Sequence, residues 1–394
     1  MPASDSANPA RSWLRLDGVD LLRGLAILFV LMNHVNMQLL GAKIPYTKGL
    51  PPQLVSSLVW NGQFGVQIFF AISGFLITST TLRRWGSLAA ISVRDFYLLR
   101  FARIAPLLLL LLAILSTLHL AHTPHFVVSP KTGGLGRALL AALTFRINLL
   151  EARSGYLPAA WDILWSLSVE ETFYFFFPIL CRICRGKYLI LLLAIFVING
   201  PFARSHAFNP NPVWREYSYF GGMDAIALGC LTALLVVHTK PSRTALRTLG
   251  TVGAALLIFS LCFSIRAYIW GLGRNGLNMT ILALGTCLLV FAAAHSQWKA
   301  PRLLTPLRRL GQRSYEVYLT HVLLVVPLFA LFLKSGHSLR TVPALFLAVI
   351  LLAALLGEVV ARLYSEPMNR LIRRRAGDSP AQLGSVIDTA NPSA

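Results

Sequence analysis

Ten apolar stretches dominate this chain, each near the roughly 20 residues that a helix needs to cross a bilayer. They run at about 21–40, 58–80, 104–122, 164–180, 189–203, 218–238, 249–265, 276–295, 314–333 and 342–361. Backbone polar groups in hydrocarbon must be satisfied within the segment that carries them, so continuous apolar runs of this length point to a bundle of spanning helices. Composition agrees. Only 13% of residues are charged, against about 25% in a soluble domain, too few to cover a water-exposed surface. Soluble globular, disordered and disulfide-scaffold classes are thereby excluded. Cys181 and Cys184 form one C-x-x-C with no second pair of ligands in reach. They read as small apolar fillers rather than a zinc site.

Charge sets the orientation. The chain carries 36 Lys and Arg against 15 Asp and Glu. With ten spans and the N-terminus inside, 22 basic residues fall on the inner side and 12 on the outer, with Arg23 and Arg362 at helix ends. An eleventh apolar stretch, about 138–150, is short and holds Arg146. Counting it as a span would reverse the asymmetry, so it is read as interfacial or re-entrant. The positive-inside rule favours ten spans with both termini cytoplasmic. Residues 1–12 and 376–394 are polar and rich in Pro, Ser and Ala, and are expected to be disordered tails around a membrane domain spanning 13–375. Because the basic residues are divided among separate short loops, a nucleic-acid partner is not expected.

Ionisable residues inside spans cost about 2.5–3.5 kcal/mol each at a helix centre, and they mark function. Arg23 and His34 are eleven residues apart, on one helical face, with His34 about 16 Å deeper. A neutral imidazole there is suited to take a proton from a hydroxyl, or to bond between helices. Arg100 and Arg103 share a face where a basic loop enters the third span; they are either membrane-surface anchors or, with Arg23, a site for phosphate groups. Glu170 and Glu171 open the fourth span, near the outer surface on this reading. They suit a helix N-terminus and are also candidates to orient His34. Asp224 is a lone acid in a span, awaiting an arginine partner. Ser314, Tyr318 and His321 form a polar stripe on the ninth span, with His321 read as an interhelical hydrogen-bonding group. His119, His122 and His125 are interrupted by Pro124 and have no nearby acid, so they read as interface residues and no metal is expected.

These motifs, in this order, resemble the acyltransferase-3 family of integral-membrane acyl transferases over about residues 15–370. Leu16 to Ala26 with His34 is similar to the family's first-helix signature and its Arg-x10-His spacing. Phe69 to Ile77 resembles the second-helix signature, and Arg100-Phe101-Ala102-Arg103 the R-x-x-R. Trp165 to Tyr174 resembles W-S-L-S-V-E-E-x-F-Y. Leu310 to Tyr315 with Tyr318 and His321 is similar to the ninth-helix pattern, and Ser365-Glu366-Pro367 to its ending. Two positions depart: Met223 stands where the family has a basic residue before Asp224, and Thr172 where it has Gln.

The resemblance implies an O-acyltransferase of the stand-alone ten-helix type in the bacterial plasma membrane, crossing it many times. It would move an acyl group, acetyl for preference, from acyl-CoA to a hydroxyl of a carbohydrate, glycan or glycolipid acceptor. The expected machinery is His34 as general base or transient acyl carrier, Glu170 and Glu171 orienting it or touching the acceptor, and Arg23, Arg100 and Arg103 holding the donor. No permanently bound cofactor or metal is expected. The alternative is a polytopic transporter of an anionic or proton-coupled solute, since acids, arginines and a histidine in spans also serve proton relays.

Overall fold

The computed structural model describes residues 16–375; the expected tails, 1–12 and 376–394, lie outside them. Among the described residues, nine helices are long and apolar enough to cross a membrane, and two more pass that test only together, as a pair bent by 51°. The chain is an all-α, multi-pass membrane protein.

The first three spans are α1 (Asp17–Gly41), α2 (Gly62–Trp85) and α3 (Val93–Leu120). Two short helices follow, α4 (Gly134–Leu143) and α5 (Ile147–Ser154). The next spans are α6 (Leu164–Ile183), α7 (Lys187–Arg204), α8 (Tyr219–His238), α9 (Arg243–Cys262) and α10 (Leu277–Ser296). The short helix α11 (Thr305–Gln312) leads into the bent crossing of α12 (Ser314–Thr320) and α13 (Val322–Lys334). The last span, α14 (Val342–Val360), passes through a π-helical turn at Ala361–Ser365 into α15 (Glu366–Arg375).

The stretch at 138–150 does not span. Its longer helix, α4, rises only about 15 Å, half the hydrocarbon thickness. It breaks before α5 at Phe145, whose φ is +55°. Two spans start well before their apolar windows. Ser92 caps α3 by accepting the Asp95 amide at 3.4 Å, so the helix begins at Val93 rather than near 104 and Arg100 lies two turns inside it. The turn Ala159–Asp162 aligns with α6 to give one passage, Ala159–Ile183.

Lipid offers apolar side chains as good a solvent as a protein interior does, so close backbone packing must hold the helices together. Gly74 of α2 lies against the Ile226 carbonyl of α8, and Gly229 of α8 lies against the Ala71 carbonyl. A Cβ at either position would overlap backbone. Gly24 on α1 and Gly311 on α11 make the same reciprocal approach, to the carbonyls of Leu307 and Asp20. Leu191, Ile198, Ile258, Leu351 and Leu355 point outward as an apolar belt.

Candidate functional site

A cavity of about 1230 Å³ runs into the bundle. Its lining starts at Arg83, Arg84, Arg370 and Arg373, at the helix ends that the basic loops assign to the cytoplasm, and continues inward to Ser166, Phe69 and Tyr318. Arg23, Arg100, Arg103, Glu170 and Glu171 all line it. Five residues chosen from separate motifs are thus brought to one space.

Arg100 is its most connected member. Its Nη2 lies 3.2 Å from Glu171 Oε1 and 4.0 Å from Glu170 Oε1. Its guanidinium carbon stands 3.7 Å over the Tyr174 ring. Glu170 accepts hydrogen bonds from the Tyr174 hydroxyl, at 2.5 Å, and from Ser73 of α2. Arg100 Nε is buried with no protein partner. Arg23 donates from Nε to Ser314 Oγ at 3.1 Å, and the Arg103 guanidinium lies 5.6 Å from the Tyr315 ring centre.

This geometry revises the expectation for Glu170 and Glu171. They are not near the outer surface, and their contacts are with Arg100, Ser73 and Tyr174 rather than His34. The reason is helix length. Counted from Ala159, Glu171 is about 18 Å along its passage, and counted from Val93, Arg100 is about 10 Å along its own. Antiparallel helices that start from opposite faces bring those two depths together.

His34 lies beyond the cavity. Its ring meets that of His321 edge to face, with centroids 4.7 Å apart. His321 is fully buried and sits at the bend between α12 and α13. Its Nδ1 is 2.7 Å from the Tyr318 carbonyl oxygen. A carbonyl only accepts, so Nδ1 carries the proton and Nε2 presents a lone pair. Nε2 is buried and has no protein partner. The expected satisfied interhelical histidine is therefore half satisfied, and its open nitrogen lies in the ring that touches His34. Tyr318 lines the cavity and neighbours His321. Its hydroxyl donates to the Ile163 carbonyl at 2.9 Å and lies 2.6 Å from Ser166 Oγ. Its ring is 6.3 Å from Phe69 and 5.9 Å from His321. Tyr318 and Phe69 line the cavity, whereas neither histidine is among its lining residues.

A family model described as an acyltransferase domain matches residues 16–362. The chain belongs to the acyltransferase-3 family. It is similar to O-acetyltransferase OatA of Staphylococcus aureus strain NCTC 8325 / PS 47, at 24% identity over 375 residues, covering 90% of this chain and 57% of the relative. It is also similar to peptidoglycan O-acetyltransferase OatA of Listeria monocytogenes, at 24% identity over 383 residues, covering 89% of this chain and 55% of the relative. The chain thus spans little more than half the length of these curated relatives. No solved structure matches it.

Other motif residues of this acyltransferase-3 chain serve the frame. Asp224, wholly buried, receives two hydrogen bonds from Arg204 of α7, at 2.9 and 2.7 Å. Thr280 of α10 and Gln67 of α2 also donate to it, at 2.7 and 3.0 Å. The position before it, Met223, packs in the core. Sequence reasoning missed Arg204 by counting it in an outer loop, although Asp224 signalled that some arginine was needed. Glu366 accepts from Arg313 at 2.5 Å, and Arg313 also reaches Glu358 at 2.7 Å, tying the last crossing to the start of the ninth. His119 accepts the Val128 amide at 3.0 Å and organises a turn. On the opposite, outer side, Glu151 of α5 accepts the Leu157 amide at 3.0 Å. Burial and the nearby Asp162 carboxyl push its own carboxyl well above the ordinary range.

Proposed function

We propose that this protein is a membrane O-acyltransferase, moving an acyl group such as acetyl from a coenzyme A thioester, admitted from the basic face, to a hydroxyl of a glycan-type acceptor. One observation carries the reading. An arginine-lined cavity includes Tyr318 in its lining, and the His321 ring, 5.9 Å from that of Tyr318, is in contact with His34. The names of the relatives, O-acetyltransferase and peptidoglycan O-acetyltransferase, support acetyl transfer and a sugar hydroxyl as acceptor.

In this reading His34 takes the proton of the acceptor hydroxyl as its oxygen attacks the thioester carbonyl. The new C–O bond forms, the C–S bond breaks, and the sulfur leaves as the free thiol once that proton is returned to it. Arg100, held by Glu171 and stacked on Tyr174, and Arg23, held by Ser314, bear on the donor and on negative charge developing at the carbonyl oxygen. Thioester-to-ester exchange needs no added energy source.

The test is acetyl transfer by the purified full-length chain in proteoliposomes. Radiolabelled acetyl-CoA is supplied on the basic face, with free-thiol release and ester formation on a soluble muropeptide both measured. Wild type is expected to release thiol in step with ester, and His34→Ala to lose about 100-fold or more. Full transfer by correctly inserted His34→Ala would remove the assignment.

A further inference from the structure

The outer side of the bundle holds a cluster of acids and aromatic rings that the transfer steps above leave unused. Three carboxyl groups converge there: Glu151 of α5, Asp162 in the turn before α6, and Glu216 in the short helix Pro212–Tyr217 before α8. Glu151 is 0% exposed. Its Oε1 accepts the Leu157 amide, but its Oε2 is buried without a hydrogen-bond partner, and Asp162 and Glu216 are the acids that act on it. The rings form a graded stack. Trp165 and Tyr217 lie parallel, with centres 4.2 Å apart and planes within 5°, and Tyr156 meets Tyr217 edge to face at 5.8 Å. The Tyr217 hydroxyl donates to Asp162 Oδ1 at 3.1 Å, and the Tyr156 hydroxyl to Glu216 Oε2 at 3.4 Å. Trp165 and Tyr217 are buried, whereas Tyr156 is 54% exposed and Glu216 is exposed as well. The stack thus ends in an open ring with an open carboxylate at its rim. A tyrosine of the interfacial belt turns its hydroxyl to the headgroups; Tyr156 turns its own to Glu216.

This cluster is tied to the histidine pair by few bonds. Asp162 immediately precedes Ile163, whose carbonyl accepts the Tyr318 hydroxyl at 2.9 Å. The Tyr318 carbonyl in turn fixes His321, which touches His34. His34 is seven residues from the outer end of α1 at Gly41, about 10 Å along the axis. It keeps accessible surface where His321 has none, and that surface is not part of the arginine cavity's lining. Charge selects what the outer cluster can hold. Arg215, beside Glu216, is turned to the carbonyls of Asn209 and Pro210, at 2.8 and 3.0 Å. Arg153 is two residues beyond Glu151, about 200° around α5. An anionic guest would therefore meet like charge. Sugar hydroxyls donate to carboxylates, and the C–H face of a pyranose ring suits an open aromatic ring.

We propose that Tyr156, Asp162 and Glu216, backed by Glu151, form an outer subsite that holds an uncharged sugar ring of the acceptor and directs its hydroxyl toward His34. This rests on the acyltransfer reading above and adds to it the residues that hold the acceptor and the charge class that they admit. Neutral sugar rings enter, and uronate or phosphorylated rings are turned away.

The test begins with binding, without donor, by calorimetry on the purified full-length chain in detergent. The probes are chitotetraose, four neutral N-acetylglucosamine units, and tetragalacturonate, of similar length with four carboxylates. Wild type should bind chitotetraose at least about tenfold more tightly than tetragalacturonate. Tyr156→Ala should weaken chitotetraose about tenfold, and Glu216→Gln should narrow the gap between the two probes. In the transfer assay both variants should raise KM for the muropeptide and leave KM for acetyl-CoA where it was. Tyr156 lies outside the helices and half exposed, so its loss spares the frame; Glu216→Gln keeps the shape of the side chain if it does not. Equal affinity for the two tetramers, or no binding by correctly folded wild type, overturns the proposal. Wild-type transfer with muropeptide KM unmoved in both variants overturns the subsite and leaves the acyltransfer reading standing. Chitotetraose binding that Tyr156→Ala weakens, with no transfer by wild type, keeps the subsite and removes the acyltransfer reading.

Discussion

Replacing Asp224 by Ala should unfold the bundle from its middle. Asp224 is 0% exposed and its partner Arg204 9% exposed, with two short charge-assisted bonds between them. Deleting the carboxylate strands a guanidinium where water does not reach it, and also removes the acceptor used by Thr280 and Gln67. Breaking a buried pair in this way costs about 3–5 kcal/mol. Removing both charges costs much less, because the desolvation penalty goes with them. Asp224→Ala should therefore lower the unfolding midpoint by about 10 °C, whereas Arg204→Met/Asp224→Asn should recover most of the loss. The assay is thermal unfolding in detergent followed by the surviving monodisperse fraction, run as a double-mutant cycle. Two results would refute the reasoning: a midpoint for Asp224→Ala indistinguishable from wild type, or a double variant that loses the sum of the single losses.

Three further outcomes follow from geometry. His321→Asn keeps a donor toward the Tyr318 carbonyl but removes the open ring nitrogen; it should lower kcat about 10–100-fold with KM unchanged, and a wild-type kcat and pH profile would deny His321 any part in positioning His34. Gly74→Ala drives a methyl into the Ile226 carbonyl and should cost about 1–3 kcal/mol, read as a lower melting point and a lower yield of inserted protein; wild-type stability would mean that α2 and α8 can separate freely. Glu151 has a raised carboxyl pKa, so the folded state binds more protons than the unfolded one above the ordinary carboxylate range. Stability should thus fall as pH rises from about 5, and Glu151→Gln, measured by thermal unfolding across pH, should flatten that fall; identical slopes would count against a protonated Glu151.

Much of the fold was legible because the bilayer imposes one length on every crossing. Nine of the ten apolar windows are long apolar helices and the tenth is a pair bent by 51°, and the basic loops set apart 138–150, which holds only short helices. Helix ends were less legible, since hydropathy registers apolar residues and not caps. Ser92 starts α3 eleven residues before the apolar window near 104, and that shift carries Arg100 from a loop into the bundle. The same effect at Ala159 moved Glu170 and Glu171 from the surface to mid-depth. Motif spacing chose residues that do share a cavity, because residues on one helical face remain so in any fold. It could not pair them, because partners such as Arg204 with Asp224 or His34 with His321 come from helices far apart in the chain. The open nitrogen of His321 is a property of its surroundings, and a one-dimensional pattern holds no record of it.

The wall formed by Tyr318 and Phe69 has a consequence for the membrane as an electrical insulator. A polar hole of this size passing right through would short-circuit the voltage on which the cell runs, worth about 2.3 kcal/mol per charge per 100 mV. Here two aromatic rings stand in the cavity's lining, one with its hydroxyl fastened to the Ile163 carbonyl. For the acyl transfer proposed above, rings held in this way would let a group pass from cavity to histidines without a continuous file of water for ions to follow.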